Sequence, residues 1–538
     1  MGTMCLETIA EAHQLRRDYP PAVLAEAQAW VSAPGVEDPT LADHTPLPYV
    51  TIDNEDSRDL DQALHIERLD GVHGAGFRVR YALADASYYA APDRPGGAAL
   101  FEEALRRGAT YYFPGWAVPM LPPSLSEGVV SLNPGVFRRA VVFTIDLDGA
   151  GEILRTRVER ARIQSRAQLT YDGVQGLYEA LDAGERSPLA GQPFTESLTL
   201  LREVGRLRIA RAEAEGVVRY DRVQVVLEPA QGTARGGSPR FRVFGEARND
   251  TERYNEQISL LVNAEGARLL AQVRGAESQP VFRVHPAPDE AAYAHLEHQI
   301  SALVEARGLD AGVWRWRREA APGQPAESLA SYLARLPRAG EAAPIFRAVQ
   351  RQALLVNHRS TFAPKPGLHF GVGVQPYARL SSPMREVVGI FTHKELLEEL
   401  GFAPPGDRRA DERLREQVIQ AANRAKEIQR SITKACHRLA LDDALGTAAT
   451  ATEPSPLMGT VLGLDARRIF VALDAPPLEC KAYIEDVEAA AGERLRPDEA
   501  RVSLVGPDGR ARFRLGDRVT VQVLGRSGAR WRLGLHAV

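Results

Sequence analysis

The stretch Thr51-Ile52-Asp53-Asn54-Glu55-Asp56-Ser57-Arg58-Asp59-Leu60-Asp61-Gln62-Ala63 gathers carboxylates against an apolar frame. Val50, Thr51 and Ile52 read as the end of a buried strand. Asp59, Asp61 and Ala63 alternate with Leu60, Gln62 and Leu64, so Asp59 and Asp61 are expected to share one face, with Asp53 turned back onto it. Carboxylate oxygens that leave room for water and a phosphate are what Mg²⁺ or Mn²⁺ selects. Most acidic runs are solvated loops. A calcium loop is excluded by spacing, because Arg58 and Leu64 stand where a Gly and a bidentate Glu are needed. The apolar residues around the acids favour a cluster held at a strand end.

Working outward, 538 residues suggest two to four domains and a large buried core. Lys+Arg 66 against Asp+Glu 70 gives a net charge of -4, which excludes a global basic field, so any nucleic-acid site must be a local groove. Cys5, Cys436 and Cys480 form neither a zinc pattern nor a disulfide framework, and a reducing cytoplasm is the expected compartment. The N-terminus lacks the apolar core of a signal peptide, Leu6 stands where myristoylation needs Ser or Thr, and no segment is long enough to span a membrane.

Residues 1–46 read as an N-terminal segment with two short helices closed by Pro34-Gly35. Strands are expected at 50–53, 63–67, 77–83 and 141–147, and helices around 170–182, 194–215, 252–273 and 288–307, giving a mixed α+β body. An amphipathic helix is expected over 413–439, within a helical extension spanning 396–452. A linker is expected at 446–456, rich in Thr, Ala, Pro and Ser. From 453 the chain changes to short β segments at 458–462, 469–473, 482–484, 518–524 and 530–536, which suit a small OB-fold β-barrel. His295 and His298, three apart on a helix, lack a third ligand nearby and are expected to be surface residues. Gly506-Pro507-Asp508-Gly509 reads as a turn.

Further blocks follow the acidic segment in order: Tyr81-Ala-Leu-Ala-Asp85-Ala-Ser87, Tyr112-Phe-Pro-Gly-Trp-Ala-Val-Pro119-Met120-Leu121-Pro122, Ser131-Leu132-Asn133-Pro134-Gly135, Gly367-Leu-His369-Phe370-Gly371 and Tyr377-Ala-Arg379-Leu-Ser381-Ser382-Pro383-Met384-Arg385. Together they resemble the catalytic domain of the ribonuclease II (RNB) family of 3′-to-5′ exoribonucleases, over roughly residues 47–395. Phe513-Arg-Leu-Gly516-Asp517-Arg-Val519-Thr-Val521 resembles the S1-type OB-fold RNA-binding domain that commonly follows it. Too few residues precede Thr51 for a preceding cold-shock domain, so RNA capture is expected to lean on the C-terminal barrel and the catalytic channel.

The resemblance implies a metal-dependent hydrolase that threads single-stranded RNA 3′-end first and releases nucleoside 5′-monophosphates. It is expected to act as a monomer, with Mg²⁺, or Mn²⁺ in its place, as cofactor and no protein partner. Asp53, Asp59, Asp61 and Gln62 fall at the metal positions, with Asp59 and Asp61 catalytic. Arg385 is expected to clamp the scissile phosphate, because a guanidinium presents paired donors. Tyr112 and Tyr171 fall where the family places aromatics, Tyr112 for stacking and Tyr171 near the 3′-terminal ribose, where the 2′-OH distinguishes RNA from DNA.

This chain departs from the family at three points. Gln62 replaces an Asp, and Glu386 and Val387 replace a second Arg and a Tyr. A helical Glu aligns with Gln257, with Glu256 beside it and expected to touch RNA. Gln62 also frames an alternative: an RNA-binding regulator on a degenerate nuclease scaffold. The basic face of the 413–438 helix, Lys426 and Arg430 included, is expected to be solvated surface or to line a route between barrel and channel.

Overall fold

The computed structural model describes residues 5–71, 74–220, 223–230, 240–272, 278–320, 325–450 and 457–538. Its centre is a six-stranded sheet of β1 (Ala42–Asp43), β2 (Tyr49–Asp53), β3 (Gln62–Gly71), β4 (Gly74–Ala84), β7 (Phe137–Leu147) and β8 (Ile153–Thr170), in the order β1-β8-β2-β3-β4-β7. The hairpin β5 (Tyr111–Phe113) and β6 (Trp116–Val118) stands apart. The 18-residue β8 pairs antiparallel with β7 through Gln164 and then parallel with β2 from Ser165, so the sheet closes on itself. That closure puts the C-terminal end of β2, and Asp53 with it, beside the start of the helix Tyr171–Ala183.

The four expected strands of the body all occur. β8 is the longest strand that the sequence reading lacks. Its run of Arg, Glu and Gln hides a weak alternation in which Ala161, Ile163 and Ser165 point inward while long polar side chains cover the outer face. Helices Thr195–Ala214 and Asp250–Ala271 bury Leu198, Leu201, Val204, Ile258 and Val262 in a core with Val50, Leu64, Phe143 and Ile145 of the sheet. Gly205 permits this approach, since a Cβ there would sit 2.5 Å from the Tyr254 ring.

The expected helix over 413–439 is longer, Arg408–Thr450. It covers the first residues of the expected linker, and 451–456 lie outside the described residues. Apolar positions in this helix, Val418, Ala421 and Ala422, pack on the body that carries the closed sheet, while Leu445 joins the core beneath the barrel. The tail is built as expected from Leu457–Leu464, Arg468–Leu473, Glu479–Tyr483, Arg518–Ser527 and Arg530–Ala537, completed by a three-stranded sheet. The 506–509 turn sits between two of its strands, with Gly509 at φ 74°.

The barrel is docked firmly. Val461, Ile469, Val519 and Leu533 share one core with Leu303, Phe346 and Val349 of the helices Glu290–Arg307 and Ala342–Leu355. Arg307 Nε donates to Leu515 O at 2.7 Å and Gln352 Nε2 to Leu462 O at 2.7 Å. His295 and His298 are exposed, as expected. Among the described residues no helix is long and apolar enough to cross a membrane.

Candidate active site

Asp53 ends β2, and its Oδ1 accepts from Asn54 N at 3.0 Å and Ser57 Oγ at 2.8 Å. These bonds shape the turn and leave Oδ2 open. Asp59, Leu60 and Asp61 lie between β2 and β3 and belong to neither strand. Leu60 bonds instead to Ser131 and Leu132, its N to Ser131 Oγ at 2.9 Å and its O from Leu132 N at 3.0 Å. The alternation survives: Leu60 is buried in the core and Asp61 points the other way.

Asp61 is 1% exposed. Its Oδ1 accepts from Met384 N at 2.9 Å and its Oδ2 from Arg385 Nε at 2.5 Å. Burial pushes its carboxyl up to about 6, with the Asp59 charge adding and Arg385 opposing. Burial raises Asp59 as well, again against Arg385. Burial works against the Arg385 cation, but Asp61, Tyr112, Asp59 and Asp53 outweigh it and keep the guanidinium charged.

Arg385 sits on a turn, its N bonded to Ser382 O at 3.2 Å, just before the helix Val387–Glu399. Thr110 N donates to Arg385 O at 2.9 Å and Val387 N to Gly108 O at 3.0 Å, so the segment carrying Tyr112 runs alongside. Gly108, at φ +81°, makes this possible: a Cβ would lie 2.7 Å from Ala421 O on the long helix. Gln429 of that helix holds the Tyr112 backbone on both sides, at 2.9 and 3.1 Å. The Tyr112 side chain is thereby presented 47% exposed, while burial at its hydroxyl, next to Arg385, pushes that group up to about 12.

Gln62 takes no place among the carboxylates. Its Oε1 accepts from Ser259 Oγ at 2.8 Å and from Tyr81 Oη. Tyr171 opens the helix that Thr170 caps, and Asn255 Nδ2 reaches its Oη at 3.5 Å. Glu256 is turned from the cluster. It pairs with Arg248 at 3.0 Å and lines, with Gln257, a cavity of about 740 Å³ on the neighbouring face of the same helix.

Sequence reading missed a polar stripe on that helix. Asn255, Ser259 and Asn263 recur every fourth residue and so share a face. Asn263 Nδ2 bonds to Tyr377 Oη at 3.1 Å and Ser381 Oγ at 3.0 Å, and its Oδ1 accepts from Leu380 N at 2.8 Å. One helix face therefore ties the 377–385 loop, β3 and Tyr171 into a single frame. The spacing itself was the available signal.

The donor set suits a hard cation. No hydrogen bond to Asp53 Oδ2 occurs among the described residues, the Asp59 carboxylate takes one from its own backbone N–H, and Mg²⁺ takes one or two carboxylates and fills its shell with water and phosphate oxygens. Among the described residues, the acids whose oxygens converge within 4.8 Å are Glu395, Glu398 and Asp411, where Lys394 Nζ bonds all three at 2.8–3.1 Å.

Beside Arg385 lies a cavity of about 250 Å³, walled by Tyr112, Arg379, Glu386, Lys426 and Gln429. Lys426 and Gln429 also line a larger cavity of about 1040 Å³ between the long helix and the barrel, with Arg430, Lys434, Lys481 and Trp531. The two spaces adjoin.

Ribonuclease R of Escherichia coli (strain K12) is 26% identical over 97% of this chain and 61% of its own length, so the chain spans about three-fifths of that relative. The fold matches the structure of Mycoplasma genitalium RNase R in complex with ribose methylated single-stranded RNA, with TM-score 0.82 and 18% identity, covering 99% of this chain and 77% of that one. It also matches yeast Ssd1, described as a pseudonuclease, with TM-score 0.62 and 15% identity over 88% of this chain and 53% of that one. The family model for the RNB domain matches residues 42–400, which takes in the closed sheet, the acidic cluster and Arg385: this chain belongs to the RNB domain family.

Proposed function

We propose that the chain hydrolyses single-stranded RNA from its 3′ end, with Mg²⁺ or Mn²⁺ as cofactor, and releases nucleoside 5′-monophosphates. The carrying observation is the buried Asp61–Arg385 pair beside a small cavity that opens, past Lys426 and Gln429, onto a basic groove under the barrel. A local groove of this kind attracts a polyanion although the net charge is -4. Tyr112 offers a stacking face at the inner end. The direction of attack rests on the family resemblance and on the relatives that carry the name ribonuclease R.

Asp53 and Asp59 would hold the metal, which when bound supplies charge stabilisation on the phosphate oxygens. The residues do the rest. Asp61 fixes Arg385 through Nε and the Tyr112 hydroxyl bonds the same guanidinium, so the donors left over would meet the scissile phosphate. Water forms the new P–O bond, the P–O3′ bond breaks, and the proton ends on the departing 3′ oxygen. Incubating the protein with 5′-labelled single-stranded RNA and either metal should shorten the label stepwise from the 3′ end. Products that are internal fragments, or no shortening, would sink the reading.

Gln62 favours one other reading, a scaffold that binds RNA without turnover. The two are separated by Gln62→Asp. Its shorter side chain gives up the Ser259 and Tyr81 hydroxyls and adds a carboxylate to the cluster. We expect the rate to rise about tenfold, one favourable charge contact being about 1.4 kcal/mol. Wild type that binds RNA but turns over only after this change would establish the regulator.

Lys426 gives a pH signature. Burial, with repulsion from Arg283, Arg430 and Arg379 and partial relief from Glu386, lowers its ammonium to about 8, while Nζ stays bonded to Ser360 O at 2.6 Å. The charged form attracts phosphate and is lost as pH rises through about 8. RNA affinity should fall about fivefold between pH 7 and 9, roughly 1 kcal/mol for a screened contact. Lys426→Arg, which stays charged, should flatten the profile measured by anisotropy. An identical fall in the variant would clear Lys426 of the effect.

A further inference from the structure

We propose that Arg379 is a second phosphate-binding guanidinium in the cavity beside Arg385, held there by Glu386, and that it grips an RNA phosphate other than the scissile one. The proposal rests on the reading of this site as one for single-stranded RNA. Arg379 Nε donates to Glu386 Oε1 at 3.2 Å and its Nη2 to Ser382 Oγ at 3.3 Å. One edge of the guanidinium is thereby fixed. Nη1 has no acceptor among the described residues, and Arg379 lines the cavity wall with its side chain 27% exposed. A fork pinned on one edge and open on the other has already lost the rotamer freedom that binding would otherwise remove.

Glu386 is itself fixed. Its N bonds to Ser382 O at 3.0 Å, and it pairs across to Ala109. Burial opposes its ionisation, but Arg379 and Arg283 overcome this and hold the carboxyl below its ordinary value. It is the one carboxylate among the residues lining the cavity. Around it stand Arg379 and Lys426, with Arg283 behind, its guanidinium bonded to Ser360 Oγ at 3.3–3.4 Å. Asp61 is committed to Arg385. Partly buried cations in such excess call for an anion, and a phosphodiester chain provides one. The replacement of a family Arg by Glu386 therefore need not cost the site a cation, because Arg379 presents one on the same wall.

A purely structural ion pair would hold the 379–386 loop together and leave RNA untouched, and salt dependence separates the two. Binding of a labelled single-stranded oligoribonucleotide to the full chain in EDTA, which blocks turnover, is measured by anisotropy over a range of salt. Each phosphate contact on a single strand contributes about 0.7 to the slope of log K against log salt. Arg379→Gln should lose about 0.7 of slope and weaken binding about tenfold at low salt. Arg379→Lys, which keeps the charge, should recover the slope. Glu386→Gln keeps an oxygen for Nε, removes the wall's carboxylate, and should tighten binding a fewfold. An unchanged slope in Arg379→Gln overturns the proposal, as does Arg379→Lys matching Arg379→Gln in slope. Wild type that binds no RNA at all would instead remove the reading on which the proposal rests.

Discussion

Asp61→Asn will cut the single-turnover rate on 5′-labelled single-stranded RNA about 10³-fold while leaving RNA affinity within about threefold, the size seen when one preorganised charge contact is lost from a site. Oδ1 of an Asn keeps the bond from Met384 N, but its amide nitrogen then faces Arg385 Nε, donor against donor. The guanidinium loses its anchor at the point where it must be still. Stability should not follow activity. Burial raises the Asp61 carboxyl from its ordinary value of 3.8 to about 6, so folding disfavours the ionised form. That cost, about 3 kcal/mol, is fully present above pH 6 and disappears as pH falls below 3.8. In EDTA at pH 8 the Asn variant should therefore melt no lower than wild type, and any advantage should close toward pH 4. A rate within tenfold of wild type would remove Asp61 from the mechanism, and a collapse in Tm at pH 8 would make the loss structural.

The sequence reading succeeded where local pattern and tertiary need agree. β2, β3, β4 and β7 carry buried apolar runs, and the helix Tyr171–Ala183 begins where a Thr stands to cap it, so their positions could be read from the chain. It failed where partners come from far away. β8 is polar along most of its length and is a strand because β7 lies on one side of it and β2 on the other. The backbone of Leu60 is satisfied by Ser131 and Leu132 some seventy residues on, just ahead of the ladder that begins at Gln62, and no local pattern shows this.

The site divides in the same way. Asp53, Asp61 and Arg385 stand out because their motifs are local, but the 2.5 Å pairing of Asp61 with Arg385 spans 324 positions and no spacing announces it. Gln62 was expected beside the metal, and its carbonyl is drawn instead to Ser259 and Tyr81, because its longer side chain reaches the helix opposite. Glu256 was expected at the RNA, but one step round the helix from Asn255 it faces Arg248 and another cavity. Neighbours in sequence on a helix look in different directions.

Arg385→Lys will lower the rate about 10²-fold with little change in RNA affinity, although the charge is kept. Arg385 serves several partners at once, Asp61 through Nε, the Tyr112 hydroxyl, and the cavity it lines. A planar fork allows this, since its donors leave in fixed, divergent directions, whereas an ammonium is a single point charge. Lys at this position must either pair with Asp61 and leave the phosphate or reach the phosphate and leave a buried carboxylate alone. The first is favoured, because an unpaired charge at 1% exposure costs about 3–5 kcal/mol. Arg385→Ala enforces that cost and should lower Tm along with the rate, which makes Lys the cleaner variant. Single-turnover rates and anisotropy on the same RNA separate kcat from binding. A Lys variant that turns over within fivefold of wild type, or whose whole loss lies in affinity, would show the guanidinium acting as charge alone.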